Sequence, residues 1–393
     1  MKVLMIESSY LILTGAVLCV ALLLLVALRP YIAAAKACAD ACPPDIEPAD
    51  QCPEVSVIVY SGSDPDTIRT TVAKILEQDY PRFEIIVVCD GPQELAGDLG
   101  DMLQSDSKRI YVTYIQPGSH NLSRRKLALT IGMKAARGEV VVITSDNISI
   151  PSQSWLSAMA EPFIGEAGRH IDVSLGVTHI NFPELRGPLK WYHQFDALLT
   201  DALWIGYAAQ GQPYRGDGYN LAFRRKTFFD HKGFAKTINL HTGDDDLFVN
   251  EIANGANTRL VCWPGAHITL NWGASANRVL SIRKAAYSFT SRWLPKTPFI
   301  RSGTAMLLQW IIPALCIWGA LINWLNPIAA AAALILLTTW GAEIYFYRKL
   351  AKAYGAVRLW WGVMPFWLWR PIGDLFFRME HRHSRKKHFT WQR

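Results

Sequence analysis

The sequence is poor in charge and in paired cysteines. Charged residues make up only 19% of the 393 residues and hydrophobic residues make up 50%, which excludes a disordered or collagen-like chain. The seven cysteines are scattered, and the cluster of Cys38, Cys42 and Cys52 contains no Cys-x-x-Cys pair and no nearby histidine. We therefore expect free thiols in a reducing compartment, and neither a zinc site nor a disulfide framework.

Charge is nearly absent from two long segments. Residues 10–28 form an uncharged run of roughly 28 Å as a helix, which predicts a transmembrane anchor at 1–28 instead of a cleaved signal peptide. Residues 303–347 contain a single charge, Glu343, and a break of asparagines and proline, which predicts two antiparallel transmembrane helices. The tryptophan-rich segment within 355–377 is too short to cross, so we expect an interfacial or re-entrant helix there.

Positive charge predicts the orientation of these segments. Lysines and arginines follow the first and last apolar runs, and the turn between the last two has none, which places the middle of the chain in the cytoplasm of a multi-pass inner-membrane protein. The formal net charge of +7 is concentrated in the tail 378–393, whose expected partners are anionic membrane lipids. No fold signal supports binding of nucleic acid. Residues 29–52 are expected to form a linker.

The remaining region, residues 53–300, alternates strand and helix patterns. Strands are predicted at 55–60, 83–89, 110–115 and 139–144, and helices at 66–78 and 124–137. This alternation predicts an α/β domain with a Rossmann-like, mostly parallel sheet. Ligands of such sheets bind at the carboxyl ends of the strands, where Asp90 and Asp146 lie.

Three blocks of this domain resemble family-2 glycosyltransferases of the GT-A fold. The blocks are 53–91, with "EIIVVCDG", then 124–159, with "RRKLALTIGMKAARGEVVVITSDN", and 214–248, with "YRGDGYN" and "HTGDDDLF". The third is similar to membrane-anchored members found in Bacteroidetes, and the likeness covers about 53–293. The resemblance implies an inverting transfer of sugar from a nucleotide-diphosphate donor, with Mg2+ or Mn2+ as cofactor, to a lipid-linked or cell-envelope glycan acceptor.

The resemblance assigns nucleotide binding to residues at strand ends and a helix start. Asp90 would accept hydrogen bonds from the base or ribose, with Asp146 nearby. Arg124, Arg125 and Lys126 would neutralise the diphosphate, Lys126 above all. The residues alone leave alternatives open. Asp90 in an Asp-Gly pair is also ordinary turn chemistry, and the basic residues can form a solvated face.

The metal motif departs from the family pattern. Members of the family carry Asp-x-Asp after the fourth strand, where this chain reads Ser145-Asp146-Asn147. Asp146, Asn147 and, by motif position, His267 remain as candidate ligands for Mg2+ or Mn2+. Alternatively, Asp146 caps a loop, His267 is structural, and the chain is a catalytically degenerate scaffold or partner of another glycosyltransferase.

The triplet Asp244-Asp245-Asp246 is the strongest chemical signal. Inverting transfer needs a base that removes the proton of the acceptor hydroxyl, and the resemblance maps that role to Asp245, with Asp244 second. Repulsion among adjacent carboxylates can raise a pKa toward the range useful to a base. Asp246 is expected to cap the helix that follows.

Three more residues are candidates for contact with the donor sugar or the acceptor. Asp217 and Asn220 lie in a glycine-containing segment that allows close backbone approach, although a plain turn explains Asp217 equally well. Arg292 lies where processive family members have Gln-x-x-Arg-Trp, and the missing glutamine predicts a non-processive enzyme. The helix at 191–207 is expected to pack in the core or, alternatively, to guide a lipid-linked acceptor.

Overall fold

The computed structural model describes most of the chain, in two units. The described residues are 2–45, 48–62, 64–91, 93–106, 109–116, 123–182, 185–271, 276–323 and 327–380. The first unit comprises the residues up to Ala39, Arg186–Gly206 and Pro295–Glu380, and the second comprises Asp40–Leu185 and Tyr207–Leu294. Nearly all of the predicted basic tail lies outside the described residues.

The strands all lie in the second unit. They are β1 Val55–Ser61, β2 Phe83–Cys89, β3 Ile110–Tyr114, β4 Val140–Ser145, β5 Ile148–Ser149, β6 Val173–Gly176, β7 Thr178–Asn181, β8 Leu221–Arg224, β9 Thr258–Val261 and β10 Ile268–Asn271. The main sheet has the order β3-β2-β1-β4-β8-β6-β9, and β8 is antiparallel to both of its neighbours. The other pairs are parallel, which confirms the expected α/β fold with a mostly parallel sheet. A small sheet has the order β5-β10-β7.

The helices are distributed over both units. They are α1 Lys2–Ala27, α2 Arg29–Ala39, α3 Pro65–Leu76, α4 Gln93–Asp106, α5 Arg124–Ala135, α6 Trp155–Ala160, α7 Gly165–Gly168, α8 Gly187–Ala209, α9 Arg225–Asp230, α10 Leu247–Ile252, α11 Ala276–Thr290, α12 Lys296–Asn323, α13 Pro327–Tyr354 and α14 Val363–Glu380. Residues 29–39, which the sequence predicts as part of a linker, form α2.

The β-branched runs form the centre of the second unit. Strand β4 is buried along its whole length, as expected for a strand covered on both faces by crossover helices. Helix α5 lies directly on β1, and a Cβ atom added at Gly132 would lie only 2.7 Å from Ile58 Cγ2. The glycine therefore allows α5 to pack closely on the middle of β1.

In the first unit, α8 packs among aromatic side chains and ion pairs. Phe195 is fully buried and contacts the rings of Tyr347, Phe366 and Trp367. Asp196 forms a buried ion pair with Arg370, in which Nε and Oδ1 are 2.8 Å apart. These contacts support core packing for the 187–206 part of α8.

Few helices meet the length and hydropathy expected of a membrane span. Among the described residues, one qualifies by itself, over Lys296–Trp318. The stretch Ile12–Ala27 followed by Arg29–Ala39 would add a second if these helices, bent by 43°, form one broken span. The described residues thus supply at most two of the three spans predicted from the sequence, and the segment 327–347 is not among them. Core helices and signal sequences meet the same criterion.

Candidate active site

The carboxyl end of β2 carries an anchored aspartate. Asp90 follows β2, and its Oδ2 accepts a hydrogen bond of 2.7 Å from the Tyr60 hydroxyl. Its Oδ1 forms an ion pair with Nε of Arg124, whose side chain is about one-third exposed. Burial, followed by the hydrogen bond to Asp90, raises the pKa of Tyr60, so the phenol remains a donor. The expected pair of Asp90 and Arg124 is therefore brought together.

Arg125 connects this edge to the aspartate triplet. Its Nε lies 2.6 Å from Asp244 Oδ2, and its Nη2 donates to Gly218 O at 2.6 Å. The guanidinium also stacks over the ring of Tyr219 at 4.3 Å and lies 5.7 Å from the Tyr60 ring. Asp90 and the triplet thus belong to one continuous cluster of side chains, which runs through Tyr60 and Arg125.

The three consecutive aspartates have different surroundings. Asp244 and Asp246 are buried, whereas Asp245 is partly exposed. Oδ2 of Asp245 accepts a hydrogen bond of 2.7 Å from Tyr287, and its Oδ1 makes no hydrogen bond to any residue within the described ranges. Asp244 Oδ1 also makes no hydrogen bond to a described residue, but Asp244 is buried, so Asp245 is the member of the triplet whose open oxygen is on a partly exposed side chain.

Asp246 is the helix cap that the sequence predicts. Its Oδ1 accepts a hydrogen bond of 2.7 Å from Leu247 N at the start of α10, and its Oδ2 accepts one from the Thr290 hydroxyl. Burial is the largest cause that raises the pKa of Asp246 to about 7, and repulsion from Asp245 is the next. The effect expected from adjacent carboxylates is thus found at the cap.

Lys126 does not face a ligand site in this structure. Its ammonium donates to the carbonyl oxygens of Thr237, Leu240 and Thr242 at 2.7, 3.1 and 2.7 Å, and to the Thr237 hydroxyl at 3.1 Å. Burial lowers the pKa of Lys126 to about 8. The expected diphosphate contact is therefore replaced by a structural one, in which Lys126 holds the loop that leads into Asp244.

Asn220 and Asp217, the candidates for sugar contact, are also occupied. Asn220 is fully buried, and its Nδ2 donates to the carbonyl oxygens of Val177 and Ala266 at 2.9 Å each, while its Oδ1 accepts from Trp155 Nε1 at 3.0 Å. Both amide N–H groups and one lone pair of Oδ1 are used within the protein, and the side chain is fully buried, so Asn220 is packed as a core residue.

Asp217 forms the turn that the sequence left open as an alternative. Its Oδ1 accepts from Tyr219 N at 3.1 Å, and its Oδ2 is paired with the guanidinium of Arg283.

Arg292 is exposed at the end of α11, where its Nε donates to Phe289 O at 3.0 Å and its guanidinium stacks on the Phe289 ring at 4.3 Å.

The three candidate metal ligands are not arranged as a metal centre. Asp146 is buried, and its oxygens accept from Gly62 N at 2.9 Å and from the Ser145 hydroxyl at 3.2 Å. Buried His267 places Nε2 2.9 Å from Cys262 O, so this nitrogen carries the proton, and Nδ1 accepts from His179 at 3.1 Å. Within the part of the chain that is described, no three His, Cys, Asp or Glu side chains are grouped as ligands.

Asn147 and His267 therefore do not combine with Asp146 in the expected way. Asn147 is partly exposed, and its carbonyl oxygen accepts a backbone hydrogen bond from Asn271 at the edge of the small sheet. His267 has a partner on each ring nitrogen, so metal binding would require it to exchange one of them. The residues present do not fit the divalent site that the resemblance implies.

Comparison with known proteins decides the enzyme class. Residues 55–215 match the family model described as glycosyl transferase family 2. This chain is a glycosyltransferase. No curated protein matches the sequence.

Two solved structures align with this glycosyltransferase. A mannosyltransferase from Pyrobaculum calidifontis, in complex with GDP-Man and Mn2+, aligns over 94% of this chain and 99% of its own, at 20% identity and a TM-score of 0.50. Glucosyl-3-phosphoglycerate synthase from Mycobacterium tuberculosis, in complex with Mn2+, UDP and glucosyl-3-phosphoglycerate, aligns over 61% and 81%, at 15% identity and a TM-score of 0.37. The first similarity agrees with the GT-A fold that the sequence predicts.

The glycosyltransferase site contains residues that sequence reasoning did not assign. They are Tyr60, Arg215, Tyr219, Arg283 and Tyr287. Arg215 stacks on the ring of Tyr287 at 3.7 Å. A signal for two of them was available, because Arg283, Tyr287 and Thr290 are spaced to share one helix face. Tyr60 gave none, since it ends an apolar strand.

Proposed function

We propose that this chain transfers a sugar from a nucleotide-diphosphate donor to an acceptor hydroxyl, with inversion, and that Asp245 is the general base. The observation that carries the proposal is the position of Asp245: it is partly exposed, one oxygen is held by Tyr287, and the other makes no hydrogen bond to a described residue. The same cluster reaches Asp90, which supports a shared nucleotide and acceptor site.

Each side chain has a defined part in the proposed step. Asp245 takes the proton of the acceptor hydroxyl while that oxygen attacks the anomeric carbon. The new C–O bond forms as the bond to the leaving diphosphate breaks, so a nucleoside diphosphate departs with the bonding electrons. Arg124, at the start of α5, stabilises the developing negative charge, and Asp90 accepts hydrogen bonds from the base or ribose. Lys126 and Asn220 take no part in this step.

Two observations support nucleotide-diphosphate sugars as the proposed donors. The mannosyltransferase of similar fold is described with GDP-Man and Mn2+. In this chain, Arg124 and Asp90 form an ion pair at the carboxyl ends of the parallel strands. Because the residues present do not form a conventional divalent site, we derive no step through a metal. The assay therefore compares Mn2+, Mg2+ and a chelator.

We further propose that the enzyme is attached to the inner membrane, with its glycosyltransferase domain in the cytoplasm. The apolar helix at Lys296–Trp318 and the bent N-terminal pair supply attachment. A lipid-linked or cell-envelope glycan is the proposed acceptor, because such acceptors are presented at a membrane surface. Since the segment that contains Arg292 lacks the glutamine of the processive motif, we propose that the enzyme adds one sugar per reaction.

The test is a donor screen with the full-length protein in detergent. A panel of UDP- and GDP-sugars is supplied with a membrane lipid extract, and products are detected by mass spectrometry. In the active combination, Asp245→Asn is expected to lower kcat/KM by roughly 100-fold or more, the range for loss of a general base, and to leave nucleotide affinity unchanged.

The matched control is Asp230→Asn, which changes an exposed aspartate of the same unit. It is expected to leave transfer unchanged. Transfer by Asp245→Asn at the wild-type rate would remove Asp245 from the base role. Absence of transfer with every donor and metal would favour the alternative, a degenerate domain that serves another glycosyltransferase as a membrane scaffold.

A further inference from the structure

Helix α11 presents one face to both acidic motifs. Arg283, Tyr287 and Thr290 follow one another at intervals of four and three residues, which places them on the same side of the helix. Arg283 pairs with Asp217, Tyr287 donates to Asp245, and Thr290 donates to Asp246. One helix face thus contacts three carboxylates that are distant from it in sequence.

The hydrogen bonds along this face form a directed relay. Arg283 Nη2 donates to Asp217 Oδ2, and Arg283 Nε donates to the Tyr287 oxygen at 3.2 Å. An arginine has no acceptor, so the tyrosine oxygen must accept this bond and its own proton must point elsewhere. That proton points to Asp245 Oδ2, which lies at 2.7 Å.

Tyr287 is also fixed by its ring. The guanidinium of Arg215 lies 3.7 Å from the ring centroid, and that of Arg283 lies 5.5 Å from it. Burial raises the pKa of Tyr287 far above its usual value, so the phenol keeps its proton. These contacts of the ring with two guanidinium groups leave the hydroxyl little freedom to leave Asp245.

We infer that Tyr287 is a positioning residue for the base, which, with Arg283 and Asp217 behind it, holds Asp245 in one orientation with its second oxygen toward the acceptor hydroxyl. This inference rests on the proposed function, in which Asp245 is the base. In the transfer step the acceptor proton moves to Oδ1 of Asp245. Tyr287 keeps its own proton, and Asp217 stays paired with Arg283.

Several charged or polar groups surround Asp245. Arg125 and Lys126 act on it from α5, Tyr287 from α11 and Asp246 from the triplet itself, and Arg215 lies next to Tyr287 and Asp246. Asp244 is its other neighbour in the chain. Removal of the Tyr287 hydroxyl leaves every charge in this set in place, so a shift of the profile reports the lost hydrogen bond.

The experiment compares Tyr287→Phe with wild type in the full-length protein, with the active donor and acceptor pair. Loss of a hydrogen bond to a carboxylate is expected to lower kcat about tenfold, with donor KM and nucleotide Kd unchanged. The acidic limb of the kcat/KM profile is expected to move to higher pH, because the carboxylate form loses a donor that favours it. The matched control is Tyr111→Phe, a half-exposed tyrosine, which should change neither quantity.

The outcomes separate this inference from the proposed function. If Asp245→Asn is inactive while Tyr287→Phe keeps the wild-type kcat and pH limb, the positioning role is wrong and the function stands. If Asp245→Asn is active, the base assignment itself fails. Arg283→Lys supplies a second variant, because lysine can pair with Asp217. With a wild-type melting temperature, it should shift the limb in the same direction by a smaller amount, and an unshifted limb would contradict the relay.

Discussion

Removal of the Asn220 side chain gives the sharpest test of how the site is supported. The Asn220 amide joins the start of β8 to three other segments, through donor bonds of 2.9 Å to Val177 O and Ala266 O and an acceptor bond of 3.0 Å from Trp155 Nε1. Asn220→Ala leaves the Ala266 carbonyl and the Trp155 indole N–H without this partner around a fully buried position, whereas Val177 O keeps the bond that it accepts from Ile268 N.

The expected cost follows from those two groups. A buried polar group that loses its partner costs about 1–3 kcal/mol, so two of them cost roughly 2–6 kcal/mol. That is a large share of the free energy of unfolding of a typical domain, which is about 5–15 kcal/mol. We therefore expect Asn220→Ala to lower the melting temperature by many degrees or to prevent accumulation of folded protein.

The assay is thermal unfolding of the full-length protein in detergent, followed by tryptophan fluorescence, with Asn147→Ala as control. Asn147 is partly exposed, and its side chain makes no hydrogen bond to the described residues, so its replacement should change stability by less than about 1 kcal/mol. A variant Asn220→Ala that melts like wild type but binds the donor sugar more weakly would refute the core role and restore the sugar contact.

Two further predictions concern buried ionisable groups. Asp246→Asn should keep the cap and gain stability over wild type as pH rises from about 4 to 7, because the raised folded pKa of about 7 makes ionisation of Asp246 costly there, by a few kcal/mol at most. Melting temperatures at pH 4.5 and 7.5 check this, and a constant difference would contradict it. Lys126→Met should lower the melting temperature, because the carbonyls of Leu240 and Thr242 lose the ammonium as donor and that of Thr237 keeps only its bond from Leu240 N. An unchanged melting temperature with weaker nucleotide binding would instead favour the diphosphate role.

The parts of the fold that depend on local pattern could be predicted from the sequence. The first four strands and helices α3 and α5 follow from β-branched runs and helical spacing, since these elements pair with or pack on their neighbours in the chain. The cap role of Asp246 could be predicted because the helix that it caps, α10, follows it directly in the chain. Helix α2 was missed because Pro30 suggests a stop, although proline is equally suited to the first turn of a new helix.

The roles of Lys126 and Asn220 could not be predicted, because their partners are far away in the chain. The carbonyls that hold the Lys126 ammonium come from a loop more than one hundred residues later. The partners of Asn220 come from three separate segments, two on one side of it in sequence and one on the other. A motif can place a residue near a site, but it does not specify whether the side chain turns toward the ligand or toward the core.

The side chains of Asp244, Asp245 and Asp246 are identical but not interchangeable. Each contacts a different neighbour: Arg125, Tyr287 and Thr290, respectively. A shift of the backbone by one residue at this point would keep three aspartates in a row but would change which of them contacts each neighbour. Such a shift is therefore as disruptive as the loss of a carboxylate, because the adjacent aspartates do not replace one another.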